Sequence, residues 1–522
     1  MKIRRGQGGS DGWSAVSCSA MSPSAPATAQ PGDAQPLADG WVVVVKSDCP
    51  TCSLVAGALQ RLQRAPEPLQ VVAQDHPIGF LDELGIPTAL DHELLLSHRL
   101  EVDTVPTLLV RRGGDSVGRA VGWNRAEWRR LTGIEDLGEG LPEQRPGCGA
   151  LNLQSPHAER LALLDRGGPL ARSVEIGDEE DPIEACFRRG WSDGLPVVPP
   201  TAERVQRMLG GTRRDPAEVL ARVAPDYGVC TVEKAAINAV MAGCLPEYLP
   251  IVLTAIEAAC SEPFNWHGLA ATTYFSGPVV VVNGPVASRI GMNSGVNALG
   301  QGNRANSTIG RALQLTLRNV GGVVPGGIDR ATLGNPGKLS LCFTENEDWR
   351  DDPAAWGSLA AERGVEAGRS AVTLFAGEGP RGIVDQLSRT PESLAWSLAA
   401  GLRSVAHPKL VLGFDALLVL SPEHCRVIDQ AGWSRARLRG ELLERLQLPL
   451  AEIERGAGGC AEGVAKDRLP DPAPEKLPKL RPDALLLARA GGGAGLFSAV
   501  LGGWVGGSTG SIPVTRAVEE LG

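Results

Sequence analysis

The sequence predicts an α/β protein of two domains, a small one near the N-terminus and a larger one with a mostly parallel sheet. Three observations carry that expectation. At 522 residues the chain is longer than one ordinary core accommodates. Short apolar runs such as "WVVVV", "GPVVVVNGP" and "FDALLVLSPEH" alternate with segments of helical periodicity. In the larger region those runs are continuous rather than alternating, as in strands covered on both faces. Aromatics at 4%, against 65 glycines and 39 prolines, add loops and close backbone approaches to that picture.

Taken in order, residues 1–38 are rich in Ser, Ala, Pro and Gly and read as a disordered extension. They lack the continuous apolar stretch of a secretory signal, and Met21 is an alternative start. The first domain covers 39–136. Its strand 41–45 is followed by a helix over 53–62, a second strand in "LQVVAQDH" and a helical segment in "DHELLLSHRL". "VPTLLVRR" and "DSVGRAVGW" form a strand pair across Gly113-Gly114, and "RAEWRRLTG" closes the domain with Gly133 at its end. Residues 137–180 are polar and read as a linker. The second domain, 181–522, has room for two subdomains. It carries strands over 277–285, 370–380, 414–424 and 482–495, and helices in "TVEKAAINAVMAGC", "LPIVLTAIEAAC" and "STIGRALQLTLRNV". No short internal repeat emerges from the letters alone.

Composition excludes several functions. A net charge of -9 without a basic block argues against a nucleic-acid partner. No apolar run of roughly 18 residues escapes interruption by glycine, so no membrane-crossing helix is expected. Eleven scattered cysteines suit reduced thiols and a cytoplasmic setting.

The stretch Cys49-Pro50-Thr51-Cys52 stands where a strand turns into a helix. Helix N-terminal amides and the helix dipole favour a thiolate there, making Cys49 the nucleophile and Cys52 the resolving thiol. A zinc site is the lesser alternative, since it needs two further ligands, for which His76, His92 and His98 are the nearest candidates. An incidental structural pair is the remaining alternative. Together with Val105-Pro106-Thr107 and the order of elements, the motif resembles the thioredoxin-like superfamily over the small domain. The resemblance implies a cis Pro106 packed against the dithiol and presenting backbone to substrate. It also implies a redox-active Cys49–Cys52 disulfide with no other cofactor, a thiol or small-molecule substrate, and a thiol reductant system as partner.

In the larger region "DPIEACFRRGWSDGLPVVPPT", "GNRANSTIGRALQL", "SPEHCRVIDQAGWS" and "GGGAGLFSAVLGGW" resemble the UGSC-like proteins, some of which carry selenocysteine. That resemblance implies redox or sulfur/selenium chemistry. No literal Cys-Gly-Ser-Cys occurs; the nearest string is Cys148-Gly149-Ala150-Leu151. Cys148 is therefore a candidate electron carrier on the linker. Cys230 is a candidate thiolate at the start of a helix that Cys244 closes; a small buried hydrophobe is the plainer reading of either.

The Gly/Asn-rich loop before "STIGRALQLTLRN" offers Asn303, Arg304, Asn306 and Arg311 as a carboxylate or phosphate site at a helix N-terminus. Arg304, Arg311 and Arg318 recur every seven residues, and a solvated arginine face explains them equally well. His267 is a candidate general acid/base or a structural residue in a Trp-flanked loop. Glu345, Glu347 and Asp348 read as a solvated acidic turn rather than a metal site. "LLLARAGGGAGLFSAV" imitates a strand–glycine–helix phosphate loop without the dinucleotide fingerprint. The leading expectation is a thiol-disulfide oxidoreductase. The alternatives are a lyase or transferase acting on an anionic small molecule, and a thiol-based metal or metalloid handler.

Overall fold

The run Gly40–Val45 is buried along its whole length because it is the middle strand of a five-stranded sheet. In the computed structural model, which describes residues 14–17, 37–76, 78–154, 157–165, 167–347, 356–507 and 509–519, this sheet organises the smaller of two units, Ser19–Pro169. Leu69–Ala73 and Thr88–Leu90 extend it in parallel on one side. Thr107–Arg112 and Asp115–Val121 extend it antiparallel on the other. Their hairpin turns through Gly113 and Gly114, both at positive φ, and both amides donate to the Asp39 carboxylate. The helix expected over 53–62 starts earlier and breaks at Val55, giving Pro50–Leu54 and Ala56–Gln63.

The stretch expected to be a linker is folded over much of its length. Leu137 and Ala150 join the core of the small unit. Gln144–Arg145 pairs with Trp123–Asn124, and Cys148–Gly149 pairs antiparallel with Thr104–Val105. Sequence polarity hid this because the pairing is made by backbone groups, which composition does not report.

The larger unit, Leu170–Gly522 with Met1–Cys18, is built on an eight-stranded sheet. The α/β class holds. The mostly parallel sheet does not: only Gly277–Asn283 with Cys342–Thr344, and Phe414–Leu420 with Leu485–Arg489, run parallel. The remaining pairings are antiparallel. The segment read as a glycine-rich phosphate loop supplies the reason, since Phe497–Val505 is a strand lying antiparallel to Phe414–Leu420. Its glycines serve close approach. A Cβ at Gly502 or Gly503 would sit 2.5 Å from the Glu378 carboxylate or 2.7 Å from the Asp415 carbonyl.

The sheet has two halves whose strands pair in the same way. In each, a strand runs parallel to the next strand of this sheet in chain order and antiparallel to a third. The fourth strand is exchanged: Arg381–Val384 follows the first half but pairs with the second, and Val514–Ala517 does the reverse. Helices Val232–Ala242, Leu249–Ala259 and Arg304–Gly321 cover one half, and Pro391–Arg403, Pro422–Gln430 and Arg435–Arg445 the other. A third apolar cluster, including Val281, Phe343, Phe375, Leu417, Leu486 and Leu501, draws on strands of both halves. Just past the edge strand Cys342–Thr344 the Asn346 amide donates to the carbonyl of Arg489, on the opposite edge strand, at 2.7 Å.

Ser14–Ser17 forms a strand parallel to Arg172–Glu175, so the extension expected to be disordered contributes an edge pairing there. The rest of that extension up to residue 36, Met21 included, lies outside the described residues. Among the described residues no helix is long and apolar enough to cross a membrane.

Candidate functional site: three thiols in the small unit

Cys49 follows a strand and occupies the N-cap of Pro50–Leu54, with Pro50 at the first helical position. Its sulfur takes the role usually filled by a cap oxygen, accepting the Cys52 amide at 3.3 Å. In its thiol form Cys49 donates to the Val105 carbonyl at 3.4 Å, and the Val105–Pro106 peptide beside it is cis. The second strand of this wall brings a third sulfur. Cys148 lies directly across from Val105 and packs against the apolar cluster that contains Cys49 and Cys52.

Two details fix the 144–149 segment over the dithiol. Thr51, inside the motif, donates its hydroxyl to the Pro146 carbonyl at 2.7 Å. Gly147 is required by contact, since a Cβ there would lie 2.5 Å from the Val105 carbonyl oxygen.

Electrostatics separate the three sulfurs. Burial opposes ionisation of Cys49, but the Cys52 amide, the Cys148 and Cys52 thiols and the Thr51 amide together hold its pKa below the ordinary value. Cys52 is fully buried, and that burial drives its pKa strongly upward. Cys148 is raised mainly because its proton is shared with Cys49, with burial second. Unlike the other two, Cys148 is partly exposed. Of the three sulfurs Cys49 gives up its proton most readily, which is what a thiol nucleophile needs.

The larger unit treats its thiols differently. Cys230 is completely buried, and burial pushes its thiol up to about 12. The expectation of a helix-stabilised thiolate fails there because Thr231, not Cys230, caps Val232–Ala242. Cys244 is likewise pushed up to about 12 by burial and donates to the Thr308 carbonyl at 3.4 Å.

The expected anion site is also corrected. Arg311 is spent on Asp193, with two contacts of 2.8 Å, and on the carbonyls of Leu195 and Pro196. Asn303 caps the helix by accepting the Asn306 amide, while Asn306 itself is buried and ties together the backbone of residues 293 and 298. Arg304 is exposed and reaches the Gly243 carbonyl through Nε. His267 is exposed with its ring edge-on to Tyr227. Glu345 belongs to no solvated turn: it is buried, accepts from Asn283 and the Leu359 amide, and pairs with Arg435. Asp348 lies outside the described residues. Among the described residues no group of three His, Cys, Asp or Glu is placed to hold a metal ion.

One feature of the larger unit escaped the sequence. A cavity of about 530 Å³ lies between the inner end of Arg304–Gly321 and the start of Gly277–Asn283. Its lining includes Ser276, Gln314 and Arg318, and Ser276 Oγ, Gln314 Nε2 and Arg318 Nε are buried without a protein partner. The spacing of Gln314 and Arg318, four apart on one helix face, was the available signal. No family model matches this chain, and no curated protein or solved structure does either.

Proposed function

We propose that the protein is a thiol-disulfide oxidoreductase whose working dithiol is Cys49 and Cys52, in a small unit of thioredoxin-like type. The observation that supports it is the Cys49 sulfur at a helix N-cap, accepting the Cys52 amide and held below the ordinary thiol pKa. Cys49 attacks a disulfide-bearing substrate, Cys52 closes the Cys49–Cys52 disulfide, and Pro106 with the Val105 carbonyl borders the place where substrate backbone lies. A thiol reductant restores the dithiol, and a reducing cytoplasm is the matching compartment. With Cys230 and Cys244 buried, the larger unit enters this reading as the holder of a sulfur-bearing small molecule, in keeping with its resemblance to UGSC-like proteins. The test is turnover of a small disulfide under a thiol reductant. Cys49→Ser should abolish it, and a Cys49→Ser protein with wild-type turnover would rule the reading out.

A second reading rests on the cavity of the larger unit: binding of an anionic small molecule, as a lyase or transferase requires. Unpartnered donors on Gln314, Arg318 and Ser276 beside apolar walls suit a carboxylate on an apolar body. Benzoate should raise the melting temperature of wild-type protein but not of Arg318→Met. Equal shifts in both proteins count against the site.

A further inference from the structure

We propose that Cys148 is a second resolving thiol, so that Cys49 can close a disulfide with either of two neighbours. This rests on the reading of Cys49 as the nucleophile. Three observations carry it. The strand pairing sets Cys148 directly across from Val105, whose carbonyl is the one Cys49 contacts at 3.4 Å. Cys148 packs against the apolar cluster that contains Cys49 and Cys52, so the two sulfurs share one neighbourhood. The segment that presents Cys148 is anchored to the motif itself through Thr51 and the Pro146 carbonyl, and Gly147 allows it to lie against Val105. Of the two neighbours, Cys52 is fully buried and Cys148 is partly exposed.

The chemistry balances with a disulfide as oxidant. The Cys49 thiolate attacks one sulfur of the substrate disulfide, and the other sulfur leaves as a thiolate. The Cys148 thiol loses its proton to solvent or to that leaving thiolate and attacks Cys49 Sγ, expelling the second substrate thiolate. The Cys49–Cys148 bond has then formed, two protein thiols have been oxidised, and the substrate disulfide has been reduced by two electrons. Two external thiols restore the pair: the first attacks the partly exposed Cys148 sulfur and releases the Cys49 thiolate, and the second attacks the sulfur of the first, freeing Cys148 and leaving as the external disulfide. Internal attack by Cys52 on Cys49 instead transfers the bond to Cys49–Cys52 and frees Cys148 with no net redox change. Cys148 thereby gives the buried dithiol a connection to the surface of its own unit.

The experiment uses full-length, fully reduced Cys52→Ser protein and less than one equivalent of the aromatic disulfide dithiobis(nitrobenzoate). Both aryl thiolates should be released, and peptide mapping should find Cys49 bonded to Cys148. In the Cys52→Ser/Cys148→Ser protein one aryl group should stay on Cys49. If the Cys52→Ser protein also retains its aryl group, Cys148 does not resolve and the proposal is overturned, while release of both by wild type leaves the Cys49–Cys52 reading intact. If Cys49→Ser releases both as fast as wild type, the dithiol reading itself falls, and this proposal with it. Repeating the double variant with Cys148→Ala, and comparing melting temperatures, separates lost chemistry from lost folding.

Discussion

Cys49 and Cys230 stand in similar local sequence, each leaving an extended segment just before a helix, yet their sulfurs have opposite chemistry. The difference is one residue of register. Cys49 is the N-cap, so its sulfur receives the Cys52 amide. Cys230 precedes the N-cap, and Thr231 takes the amide of Lys234 at 3.2 Å instead. The Cys230 sulfur is left in the core with a long 3.8 Å contact to the Thr231 carbonyl. A helix start lowers a thiol pKa through specific amide hydrogen bonds, and a sulfur that receives none while losing its water moves the other way.

The largest test of this contrast is alkylation of the folded protein. Cys230 and Cys244 are held at about 12 and Cys49 lies below the ordinary thiol value near 9, a gap of three units or more. The thiolate fraction of Cys49 should exceed theirs by about a thousandfold, since each pKa unit is a factor of ten. Iodoacetamide labelling read by peptide mass spectrometry measures it, and comparable rates at Cys49 and Cys230 would end the comparison. The sign of the pH dependence follows from the lowered pKa. Cys49 stays ionised at lower pH than a free thiol, so its labelling rate should reach half-maximum at a lower pH than that of a free thiol measured alongside.

A smaller effect sharpens the account of Cys49. Gly147→Ala places a Cβ 2.5 Å from the Val105 carbonyl oxygen, so the 144–149 segment must shift away. Overpacking of this kind costs about 1–3 kcal/mol. It should also draw Cys148 away from Cys49 and move the labelling midpoint of Cys49 upward. Thermal unfolding and the same pH series read both; an unmoved midpoint would mean that Cys148 does not support the Cys49 thiolate.

The sequence carried the small unit well because its signals are local. The run Trp41–Val45, the CxxC at a strand end and the Gly113-Gly114 turn each declare themselves within a few residues. Cys148 joining Cys49 was not legible, because the pairing with Val105 is made between backbones distant in the chain. Arg311 looked available for the same reason, its partner Asp193 being 118 positions away. The larger sheet was misjudged in direction rather than class. Glycines at 502 and 503 argue against a strand on propensity, whereas tertiary contact with Glu378 and Asp415 demands them.

The smallest effect probes the other side of the contrast, asking whether the cap or the burial silences Cys230. Thr231→Ala removes the hydroxyl that accepts the Lys234 amide and should cost about 1 kcal/mol, as the loss of a threonine cap does. That change frees an amide near the helix start without exposing the sulfur. Cys230 should therefore stay unreactive to iodoacetamide while the unfolding midpoint falls slightly. If Cys230 instead began to label at a rate approaching that of Cys49, competition for the cap would have been the whole cause. Burial, the first cause of its raised pKa, predicts the unreactive outcome: an amide can favour a thiolate only where the sulfur is placed to receive it.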